Sequence, residues 1–67
     1  MDFNVFLASI ATMTALQVEE HRTSLTAEID TAESDRLDEI NQALEALNTR
    51  NQELQDIETR RQNMRQV

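Results

Sequence analysis

The stretch Leu37-Asp-Glu-Ile40-Asn-Gln-Ala-Leu44-Glu-Ala-Leu47-Asn-Thr-Arg-Asn51-Gln-Glu-Leu54 decides how the chain is read. Its apolar residues recur at alternating intervals of three and four, which returns each to the same face of an α-helix. In heptad terms Leu37, Leu44 and Asn51 occupy a, and Ile40, Leu47 and Leu54 occupy d. Beyond Leu54, Ile57 and Met64 continue a displaced stripe, a register change of the stammer kind. The flanking residues Arg36, Asn41, Ala43, Asn48, Arg50 and Gln55 are mostly neutral. A parallel zipper prefers opposite charges there, so the pattern favours an antiparallel arrangement or a small bundle. Asn51 has two readings, both open: a buried amide that fixes register and oligomeric state, or a rim residue where the helix has drifted from its partner.

Outward from this seam, composition supports helix everywhere. The chain has 67 residues with no glycine and no proline, the two residues that most often punctuate a sequence. Ala, Leu, Glu, Gln and Arg fill most of it, and its Val, Ile and Thr do not alternate in strand-like runs. In the first segment Phe3, Phe6, Leu7, Ile10 and Met13 share one helical face, with Ala8, Ala11, Ala15 and Val18 as a shallower flank. Asp2 is placed to cap this helix. Leu25, Ile29 and Ala32 continue the pattern one residue out of phase with the seam that starts at Leu37. The stretch from Asp30 to Asp35 is the natural place to absorb that shift. Asp30 and Glu33 have capping-box spacing, and Ser34 is a second cap candidate.

The expectation is therefore an all-α chain, a single unit folded as a two-helix antiparallel, coiled-coil-like hairpin, with helix 1 over 2–30, a turn over 31–34 and helix 2 over 35–66. The rival is one long continuous helix of ~60 residues and ~90 Å in a coiled coil or bundle.

Charge and size narrow the function classes. The net charge is −7. Most of it lies in residues 19–35, where Glu19, Glu20, Glu28, Asp30, Glu33 and Asp35 face only Arg22. Such a chain is repelled by phosphate backbones, so nucleic acid is not expected as a partner. The acidic stretch is also too short for a DNA mimic. Every basic residue is arginine, which suits packed interfacial ion pairs as readily as it reflects compositional bias. A chain this small is marginal alone and has no cysteine to staple it, so partner binding or oligomerisation is the expected way to bury more surface. Residues 3–18 are uncharged but carry Asn4, Ser9, Thr12, Thr14 and Gln17. They read as a buried helix face rather than a membrane span. No signal-peptide pattern opens the sequence, so the expected location is cytoplasmic, or exported without a cleaved signal peptide.

Candidate chemistry is sparse. His21, the sole histidine, has Ser24 one turn on and Glu20 beside it. One turn of helix supplies neither an orienting third group nor an oxyanion hole. Asp30, Glu33 and Asp35 lack the central glycine of a calcium loop, and no Glu-x-x-His pair exists for a di-iron site. No catalytic, metal or cofactor residue is expected, and the chain is not expected to be an enzyme.

The stretch Glu39-Ile-Asn-Gln-Ala-Leu-Glu-Ala-Leu-Asn-Thr-Arg50, following an uncharged, Ser/Thr-containing helix, resembles small helical components of bacterial type III secretion systems. These include needle and tip-filament subunits and the helical-hairpin chaperones of needle subunits. The resemblance implies a bacterial setting and a role in assembly or chaperoning, and it carries over no functional residue.

The function expected from the residues is helix–helix packing against a protein partner, either a second copy or another helical protein. The chain would act as an assembly factor or chaperone in a homo- or hetero-oligomer, with a filament subunit and a membrane-active N-terminal helix as alternatives. The expected partner-binding residues are Phe3, Phe6, Leu7, Ile10 and Met13 on the first segment, with Leu37, Ile40, Leu44, Leu47, Asn51 and Leu54 on the second.

Overall fold

A computed structural model of the chain describes residues 2–66, and all of its regular structure there is helical: α1 (Phe3–Ile10), α2 (Ala15–Glu28) and α3 (Ser34–Arg65). The all-α expectation holds. The two-helix division is corrected to three helices, and the continuous-helix alternative is excluded by the two breaks.

The first break has a local cause. Ser9 and Thr12 turn their hydroxyls onto the backbone, donating to the Phe6 carbonyl at 2.6 Å and the Ser9 carbonyl at 3.0 Å. The Thr12 and Met13 amides then bond three residues back, to Ser9 and Ile10, a tightened turn that ends α1. Thr14 starts α2 with a full capping box. Its hydroxyl accepts from the Gln17 amide at 3.3 Å, and the Gln17 side chain accepts from the Thr14 amide at 3.0 Å. Asp2 caps α1 as expected, accepting from the Asn4 amide at 3.2 Å.

The second break also differs in detail. α3 begins at Ser34 with Glu33 as its N-cap, and no side chain caps that end. The Asp30–Glu33 capping box and the Ser34 cap are therefore corrected. The α3 dipole is instead complemented by Asp35 in its first turn and Arg65 in its last.

Phe3 and Phe6 share a groove with Arg36 and Glu39, and Leu7 and Ile10 share one with Ala46, Thr49 and Arg50. The helix α1 thus runs parallel to α3. Glu28 meets Arg36 while Ala15 lies beside Leu54 and Ile57, so α2 runs antiparallel. The core between the three helices is Ile10, Met13, Val18, Leu25, Ile40, Ala43 and Leu47. Ile40, Leu47 and Val18 are its largest fully buried side chains. α3, at 32 residues, is ~48 Å long. That nearly equals the molecule's 51 Å long axis. α2, at 14 residues, covers less than half of it. The C-terminal part of α3 projects past the bundle as an overhang.

Candidate protein-interaction surface

The two apolar faces picked from the sequence meet each other within one chain. Ile10, Met13, Ile40 and Leu47 are buried in the core. Phe3, Phe6, Leu7, Leu44 and Leu54 are half-buried against it. Leu37 lies outside, 39% exposed, because α3 turns residues 40, 43 and 47 toward α1 and α2. Asn51 is half-buried on a shelf shared with Ala15, Leu54 and Ile57, at the margin of the core.

Two arginines from the positions flanking the seam, neither of them among the expected partner-binding residues, tie the bundle together. Arg50 donates from Nε to the Met13 carbonyl at 2.9 Å, holding the α1–α2 connection onto α3. Its Nη1 reaches Glu53 at 3.4 Å, and the side chain is only 17% exposed. Arg36 grips Glu28 with two bonds, Nε to Oε2 at 2.9 Å and Nη2 to Oε1 at 3.3 Å, across the α2–α3 turn. It also meets Glu39 at 3.5 Å. The hydrogen bond from Arg36 is the main cause that holds the Glu28 carboxyl below the usual carboxylate value; desolvation opposes it, and the Arg36 charge adds a smaller lowering. Ala43 was read as a neutral flank, yet it is fully buried. Its signal was there: small residues on a seam edge let a neighbouring helix come close.

The groove at the α2–α3 turn end is lined by Phe3, Phe6, His21, Ser24, Leu25, Glu28, Arg36 and Glu39. His21 lies there edge-on to Phe6, with ring centroids 5.1 Å apart at 65°, so its ring packs on an aromatic neighbour. The pair Arg36–Glu28 closes the polar side. Among the described residues no cluster of His, Cys, Asp or Glu could hold a metal ion, and no helix is long and apolar enough to cross a membrane.

Val5, Leu16, Ile29 and Leu37 are exposed one by one on the bundle, whereas the α3 overhang carries its exposed apolar residues in a row. Residues 55–66 are all exposed. Leu54, Ile57, Arg61 and Met64 follow one another at intervals of three, four and three, so they form one row along it. Ile57 is 37% and Met64 74% exposed. The base of the row is a shelf where Leu54, Ile57 and Arg61 lie beside Ala15 at the start of α2. Leu16 in the same turn of α2 is 69% exposed. No family model, curated protein or solved structure matches the chain.

Proposed function

We propose that the chain works by helix–helix packing, binding a helical protein partner through the α3 overhang, and that it does so as an assembly factor or chaperone without a catalytic step. The observation that carries this reading is the row Leu54, Ile57, Arg61, Met64 on a helix that extends past its own bundle. A helix turn with no tertiary neighbour is held only by its backbone bonds and weak side-chain pairs, and it gains stability from any apolar surface laid along it. The three helices bury most of each other's larger apolar faces; Val5, Ile29 and Leu37 stay exposed as isolated residues, while the overhang and the adjoining shelf offer a continuous row to a partner. Acidic charge crowded at the opposite end of the molecule disfavours nucleic acid as that partner.

The test is site-specific photo-cross-linking in the source cell. A photoreactive residue at position 64 is expected to give a discrete protein adduct. The same residue at position 52, two residues before the row and on the opposite face of the helix, should not, and Ile57→Asp should remove the adduct. Absence of any protein adduct at position 64, or equal adducts at 64 and 52, would overturn the reading.

A further inference from the structure

We infer that the occupant of the overhang is a second copy of this chain, packed antiparallel, so that Leu54 of one copy meets Met64 of the other and Ile57 meets Arg61. The inference rests on the overhang being a helix-binding surface and names its partner.

The charge pattern selects both this partner and this orientation. With Leu54 and Arg61 at a, and Ile57 and Met64 at d, the flanking g positions are Glu53 and Arg60, and the flanking e positions are Glu58 and Arg65. In a parallel pair each g residue sits beside the following e residue of the other helix. Glu53 would then face Glu58 and Arg60 would face Arg65, like against like on both sides of the seam. Reversing one helix lays the acidic first heptad of each overhang along the basic second heptad of the other. The same reversal pairs a with d across the seam, and both a–d layers close on the same two-fold axis near Thr59.

The remaining features agree with this arrangement. Arg61 sits in the seam, but its aliphatic stem can cover Ile57 while the guanidinium reaches the rim, where it already lies 3.9 Å from Glu58. The intrahelical pairs Arg50–Glu53 and Glu58–Arg61 are single contacts whose glutamates are half-exposed, so they cost little to rearrange. The tip of the second copy ends against Ala15 and near the exposed Leu16, filling the step between the bundle end and α3. Two such steps are filled at once, since the contact uses the same surface on both copies. It therefore closes at a dimer rather than growing into a filament.

The test begins with sedimentation equilibrium of the full chain from low micromolar to millimolar concentration. Interference optics are needed because the chain has neither Trp nor Tyr. The expected result is a reversible equilibrium between 7.7 kDa and twice that mass. Arg60→Glu/Arg65→Glu should weaken it at least about tenfold by turning every flank acidic. Mixing that variant with Glu53→Arg/Glu58→Arg should restore it, with circular dichroism showing that both variants stay helical. Orientation is read from single cysteines: Leu54→Cys mixed with Met64→Cys should give mainly the mixed disulfide. A monomer at every concentration, growth beyond the dimer, indifference to the charge variants, or a preference for 54–54 and 64–64 disulfides each overturns the proposal. In the monomer case the cross-linking test above still reads any other helical partner, so the two failures are told apart.

Discussion

Arg50 shows how one side chain can hold a connection through its backbone, beside the single buried apolar anchor Met13. Its Nε donates to the Met13 carbonyl across 37 positions of sequence, and its side chain lines the groove between α3 and the end of α1. Arg50→Ala should destabilise the fold by about 1–2 kcal/mol, since a largely buried charged hydrogen bond is lost. In a domain this small that lowers Tm by roughly 4–16 °C, and Arg50→Lys should recover only part of it, as read from thermal melts by circular dichroism. The Glu28–Arg36 pair gives a pH signature. Glu28 is held below its ordinary value of 4.5, so the folded state binds that proton less readily than the unfolded chain. The pair's contribution is present above about that pH and is lost as pH falls through the lowered folded value. Glu28→Gln should therefore flatten the loss of Tm on acidification below about pH 4.5, leaving only the share of the other carboxylates. Ala43 has no exposed surface, and Ala43→Leu should destabilise by about 1–3 kcal/mol through overpacking.

At the scale of the element, the sequence carried the helices but hid one of their boundaries. The three-and-four spacing of Leu37 to Leu54 is a strong periodic signal, and α3 follows it. The break at residues 11–14 had a signal too, because Thr14 with Gln17 is a capping box. It was masked by the apolar row Phe3, Phe6, Leu7, Ile10 and Met13, which runs through the break without losing phase. Met13 is buried in the core even though it follows the end of α1. Periodicity reports which residues go inside; it does not report that the backbone has folded back between them. The same masking explains the site residues. Ile10, Ile40 and Leu47 are apolar because the chain needs them for itself, and a seam in sequence does not say whether its partner helix lies in the same chain. The local boundary is testable. Thr14→Ala should lower stability by about 0.5–2 kcal/mol, and the amides of Gln17 and Val18 should lose hydrogen-exchange protection before those around Ala43. Equal loss across α2 and α3 would mean that the cap acts only through global stability.

The whole molecule is a short three-helix bundle with a long third helix. The bundle has a small core, held at one end by Arg36–Glu28 and at the other by Arg50–Met13. Acidic side chains gather around the α2–α3 turn, and Arg60, Arg61 and Arg65 lie at the far tip of α3. A chain of this size gains from added burial, and among the described residues the overhang is a stretch of helix exposed at every position from 55 to 66. The proposed antiparallel dimer would cover it, and hydrogen exchange of the full chain as a function of its own concentration tests that dimer most directly. Amides of residues 55–65 should exchange fast in dilute solution and gain protection as concentration rises, while those around Ala43 and Leu47 keep the same protection throughout. An overhang that exchanges at the rate of unstructured chain at every concentration, or protection that appears on α1 instead, would contradict the account.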